Sequence, residues 1–270
     1  MFRKLLILSV ILVMIFAFST PAKAISYGQF DGNGHPNVGS IVAVKGNELY
    51  QICSGTLISP TVYLTAAHCT VLLDGIVADG YAVYVTFDQT ISLNGTFYSG
   101  KWITNPNYNN YKGQGGNDDP GDVAVILLDK APAGITPAAL PTAGLLDQLK
   151  KNHQLKGGVF TAVGYGDVRD TNHTGWQALQ DNLDRNRADQ TFQSLTDSWL
   201  TNSMNLATGN GGTCYGDSGG PHFIHQNGVE TNIVVSITVE GDYQCKSTDK
   251  TYRMDTDSAR SFLGNYVTLP

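Results

Sequence analysis

Five short runs rich in β-branched and aromatic residues do most to limit what this chain can become. They are "SIVAVKG" (40–46), "YAVYVTF" (81–87), "DVAVILL" (122–128), "GVFTAVGYG" (158–166) and "NIVVSITVEG" (232–241). Gly, Asn, Asp or Pro closes each run, the signature of strands separated by turns. Only "TAGLLDQLK" (142–150) and "DTDSARSFLGNY" (255–266) invite a helix, the second with Asp or Ser as N-cap and Gly264 as a stop. A charged fraction of 15% and 30 glycines likewise disfavour long solvent-facing helices. The chain reads as all-β, a barrel or a sandwich, and the pattern alone does not choose between them.

The first 24 residues read differently. Arg3 and Lys4 precede an apolar stretch from Leu5 to Phe18, and Ala22-Lys23-Ala24 forms a small-x-small cleavage signal. This is the order of a secretory signal peptide, and the stretch is short for a bilayer span. The reading is a secreted, extracellular protein whose mature chain begins at Ile25 and is not held by membrane. Losing Arg3, Lys4 and Lys23 leaves 14 basic residues against 23 acidic, a formal charge of −9. So acidic a chain is a poor partner for nucleic acid or anionic lipid, which need a basic face. The Pro- and Ala-rich stretch 131–141 reads as a connector, dividing the mature chain into units 25–140 and 141–270.

Four cysteines in a secreted chain imply disulfides, with three possible pairings. Pairing within each half would close loops of 17 and 32 residues, each contributing roughly 3–4 kcal/mol in the chain-entropy model. No C-x-x-C or Cys–His ligand spacing appears, so neither a metal nor a cofactor is expected.

"GTCYGDSGGPHF" (212–223) packs four glycines around Ser218. Glycine costs conformational entropy, so such a cluster marks backbone that turns sharply or approaches another group closely. A serine hydroxyl is a poor nucleophile without an adjacent base that a third group orients. Among His35, His68, His153, His173, His222 and His225, only His68 ends an apolar strand-like run, "LTAAHC", fixed by Cys69.

Together "SGTLISPTVYLTAAHC", "GDVAVILL" and "GTCYGDSGGP", in that order, resemble the three signature blocks of the chymotrypsin-like (trypsin-fold) serine peptidases. The resemblance covers essentially the whole mature sequence. It implies two six-stranded antiparallel β-barrels with a C-terminal helix and an active site between them, the first barrel carrying His68 and Asp122 and the second Ser218. It implies His68 as general base, Ser218 as nucleophile and Asp122, followed by Val-Ala-Val, as the orienting carboxylate. Asp118 and Asp119 are left to a solvated loop or a weak calcium site. The backbone N–H groups of Gly216 and Ser218 would form the oxyanion hole, and Cys53–Cys69 and Cys214–Cys245 would pair. Gly212 is expected at the end of the specificity pocket, where no carboxylate sits. Ser236 and Thr238 belong to the strand expected to receive substrate, and Asp249 or Lys250 to the opposite wall or to solvent.

The family's activation step places a new N-terminal ammonium against the Asp before the nucleophile, here Asp217. Ile25 follows the cleavage signal directly, with 42 residues between it and His68, so signal cleavage and activation would coincide. The lack of further disulfides suggests a leaner, microbial-style member. The expectation is a monomeric endopeptidase acting on protein or peptide. An inactive binding or adhesion module on the same fold is the alternative.

Overall fold

The computed structural model describes residues 25, 27–109, 118–169 and 179–270; the expected signal peptide lies outside them. After a short strand β1 (Gln29–Phe30), the first half forms β2 (Val38–Lys45), β3 (Glu48–Ser59), β4 (Val62–Thr65), β5 (Ala82–Thr86), β6 (Gly100–Thr104) and β7 (Ala124–Leu128). Strands β2 to β7 make one antiparallel sheet in the order β5-β2-β3-β4-β7-β6. The sheet curls until its edges meet: Val85 and Tyr98 exchange backbone bonds of 2.9 and 2.8 Å. Its strands are largely buried, with Val38, Ile41, Leu57, Tyr63, Leu64 and Val125 at 0% exposure. Alternating β-branched residues fit such a half-buried pleated surface.

The second half forms β8 (Val159–Gly164), a small pair β9 (Val168–Arg169) and β10 (Leu179–Gln180), then β11 (Asn186–Leu195), β12 (Trp199–Ser203), β13 (Pro221–Gln226), β14 (Val229–Gly241) and β15 (Thr248–Arg253). The main sheet runs β1-β11-β12-β15-β14-β13-β8, and β11 also pairs with β8. Six strands therefore close into a barrel, and β1 is an extra strand on its rim. The expected pair of six-stranded units is present, one fully closed and the other a curled sheet joined by a single bridge. The N-terminal arm, assigned from sequence to the first unit, pairs with the second, Gln29 opposite Arg187.

Among the described residues, four α-helices punctuate the strands: α1 (Ala67–Thr70), α2 (Leu73–Ala78), α3 (Leu145–Lys151) and α4 (Asp257–Leu263). The last two fall at the stretches expected from sequence, α3 running one residue past the end of 142–150. Thr256 rather than Asp or Ser caps α4, its hydroxyl accepting the Ala259 N–H at 3.2 Å. The first replaces what read as the end of a strand. The run stops at Thr65, and His68 sits in a buried helical turn. One apolar cluster joins both units, with Leu57, Leu64 and Val125 from the first and Val163, Trp199, Phe223 and Val234 from the second. The two units therefore share a packed core, which fixes the cleft between them.

Candidate active site

His68 follows β4 and Asp122 precedes β7, neighbouring strands of the first sheet. Gly121, with a positive φ of 63°, turns the chain into β7, and the Asn105 side chain donates to its carbonyl at 3.0 Å. That turn aims the buried Asp122 carboxylate at α1. One oxygen accepts the His68 backbone N–H at 2.9 Å, and the other lies 2.8 Å from Nδ1. The two contacts set both the position and the orientation of the ring. The competing carboxylates are engaged or exposed. Asp119 accepts from the Gly121 N–H and the Tyr252 hydroxyl, while Asp118 and Asp129 are exposed. Trp199 Nε1 donates to the Asp118 carbonyl, so the second barrel braces the loop that delivers Asp122.

Ser218 reaches the same place by way of β3. Cys53 holds Cys69, next to His68, through a disulfide, and the following N–H, of Ser54, donates to the Ser218 carbonyl at 2.9 Å. Consecutive residues of one strand thus tether the histidine segment and the serine loop. Gly219 (φ 79°) packs so tightly that a Cβ there would run into the Thr65 hydroxyl and come within 2.7 Å of the Ala66 nitrogen. Gly216 has φ 89°, and its carbonyl is held by the Gln51 amide and the Ser54 hydroxyl. Among the described residues, the N–H groups of Gly216 and Ser218 have no intramolecular acceptor. Two free donors beside a nucleophile are what a developing oxyanion requires.

A cavity of about 100 Å³ opens at Ser218 between Thr213–Tyr215 and Thr238–Asp242. The Cys214–Cys245 disulfide joins its walls. Thr238 lines it as expected. Gly212 and Ser236 do not. Gly212 packs inward on Met204 and Gln190, and Ser236 is fully buried, accepting from the Thr251 hydroxyl. Neither Asp249 nor Lys250 is a loop charge, because both lie in β15. Lys250 bonds Glu240 at 2.8 Å over the Trp199 ring, and the buried Asp249 accepts from Gln190 at 2.7 Å and lies 2.9 Å from His222 Nε2. Sequence reasoning missed Tyr215 and Asp242 on the walls. Burial works to raise the Asp242 carboxyl, but N–H donors from Thr248, Ser247 and Lys246 outweigh it and hold it below its ordinary range, ordering the loop behind Cys245.

Asp217 is wholly buried between Gly166 and Cys214, whose N–H groups it accepts at 2.7 and 2.9 Å. No cation among the described residues pairs with it, and burial pushes its pKa up to about 7 despite those two donors. Ile25 is also wholly buried. The arm behind it is tied to the same segment, Tyr27 N–H donating to the Arg169 carbonyl at 3.0 Å.

Two joined antiparallel β units, with a serine loop and a His–Asp pair at their seam, define the class of the trypsin-like serine peptidases. The chain belongs to that family: the model described as "Trypsin" matches residues 31–262. It is 30% identical over 225 residues to brachyurin of Leptuca pugilator, covering 75% of this chain and 84% of that protein. It is 28% identical over 199 residues to a trypsin of Phaedon cochleariae, covering 66% of each. Both relatives are arthropod proteins, so the expected microbial style finds no support.

Proposed function

We propose that the chain is a secreted serine endopeptidase that cleaves protein or peptide substrates through a Ser218 acyl-enzyme. The observation that carries the reading is the meeting on residues 53 and 54 of the His68–Asp122 pair and the Ser218 loop, beside two unpaired N–H groups. His68 Nε2 takes the hydroxyl proton as Ser218 Oγ bonds to the scissile carbonyl carbon. Asp122 holds Nδ1–H and stabilises the imidazolium. The N–H groups of Gly216 and Ser218 receive the oxyanion, and His68 then returns the proton to the leaving amine. Water, deprotonated by the same nitrogen, releases the acyl group. A substrate side chain enters the cavity between Thr213–Tyr215 and Thr238–Asp242, and the substrate backbone adds to β14 as an extra strand.

Activation follows from Asp217. A buried carboxylate without a counter-charge is costly, and the α-ammonium of Ile25, freed by signal cleavage, supplies one. Labelling with a phosphonate serine inhibitor tests the reading. Covalent modification at Ser218, absent in Ser218→Ala, is expected. An unlabelled, folded protein would support the inactive binding module instead.

A further inference from the structure

Asp189, His225 and Glu230 lie on three different strands of the second barrel, away from the cavity at Ser218. Residues of β11 alternate in direction: Gln190 points inward to Asp249, so its neighbour Asp189 points out. Register does the rest. Asp189 sits opposite Thr161 on β8, Thr161 opposite Phe223 on β13, and His225 opposite Glu230 on β14. One ligand atom from each of the three side chains lies within 4.8 Å of the others, with His225 Nε2 and Glu230 Oε2 at 3.9 Å.

At the middle of this group is the buried Thr161 hydroxyl. Asp189 Oδ1 is 3.0 Å from it and His225 Nε2 is 2.8 Å away, with Glu230 Oε2 3.9 Å from that nitrogen. The hydroxyl has a single proton to give, and both carboxylates only accept. If Nε2 is unprotonated, it competes with Asp189 for that proton; if Nε2 carries hydrogen, it donates to the hydroxyl.

We propose that Asp189, His225 and Glu230 form a divalent-metal site of zinc-binding chemistry on the outer wall of the second barrel. One imidazole and two carboxylates suit Zn²⁺, with a fourth position open to solvent water. The far side of Glu230 is already braced, since His35 Nε2 lies 2.7 Å from Oε1. His35 is in turn held by Asp31 at 2.6 Å, and Asp31 by Arg185 at 2.9 Å, all three buried. Such outer partners orient metal ligands. The charges facing the site are Arg185 on Asp31 and two groups on Glu230: His35, 2.7 Å from Oε1, whose pKa Asp31 and Glu230 raise to about 9 against the effect of burial, and the half-exposed Arg187, 4.0 Å from Oε2. The ion would join β11, β13 and β14. Because β11 also carries β1 and accepts the Gly211 N–H, the same brace reaches the N-terminal arm and the segment leading to Ser218.

The test is calorimetric titration of the full chain with Zn²⁺ in the Ser218→Ala background, where no turnover or self-cleavage enters. One equivalent should bind at pH 7.5 and raise the thermal midpoint. His225→Gln and Asp189→Asn should each weaken binding beyond the roughly 10–100-fold loss typical of an outer partner, and His68→Ala should leave it unchanged. If either ligand variant unfolds without metal, Arg187→Gln carries the test by tightening the site. No saturable binding, binding lost with His68 and kept without His225, or unaltered affinity in Arg187→Gln would overturn the proposal.

Discussion

Adding two residues before Ile25 should silence the enzyme and make its stability fall with pH in a way the processed chain does not share. In the extended chain no ammonium reaches Asp217, and burial leaves its pKa at about 7 against an ordinary 3.8. A folded-state pKa raised above the unfolded value means stability that is full below the lower value and lost as pH rises through the higher one. Between pH 4 and pH 8 the extended chain therefore gives up roughly 4 kcal/mol from Asp217 alone, at 1.36 kcal/mol per pH unit. For a chain of this size that corresponds to roughly 8–16 °C in thermal midpoint. The processed chain keeps Asp217 ionised against the ammonium. Its own loss comes only in alkali, as pH climbs past the raised pKa of an amine that ordinarily titrates near 8. Differential scanning calorimetry of both forms in the Ser218→Ala background, at several pH values, measures the divergence, and hydrolysis of a peptide substrate reads activity in the wild-type background. Equal midpoints across this range together with full activity of the extended form would refute the reasoning.

Asp122→Asn should lower kcat by roughly 10⁴-fold, because the amide no longer fixes the His68 tautomer; steady-state kinetics of the single mutant, and of its double with Ser218→Ala, should show almost no further loss in the double. Gly219→Ala should abolish acylation by an active-site titrant, since φ 79° and the Thr65 and Ala66 contacts leave no room for a methyl group; normal titration would contradict the packing described at the seam. Arg185→Met should cost about 3–5 kcal/mol in denaturant unfolding, because it leaves the buried Asp31 carboxylate with His35 alone and strands three backbone carbonyls, of Gly32, Val38 and Phe87.

Much of the site was legible because its signals are local. A serine among glycines, a histidine beside a cysteine and an aspartate before an aliphatic strand each occupy a few residues, and their order sufficed for the family. The strand runs, the two helical stretches and both disulfides fall where they were expected. The helical turn around His68 was hidden, because "TAAHC" is too short and apolar for its period to show.

What only the tertiary structure decided depends on register. Thr238 lines the cavity while Ser236, two residues earlier on the same face of the strand, is buried opposite His222 and bonded to Thr251. Asp249 looks like a loop charge from its neighbours Lys246, Ser247 and Lys250, yet pairing β15 with β12 and β14 turns it into the barrel beside His222. Asp189 and His225 stand 36 positions apart and become neighbours only because β8 lies between their strands. Sequence by itself determined which residues could do chemistry, since that is a property of each side chain and its few neighbours. Which of them meet was set by how distant strands slide against one another, and no short window of sequence records that.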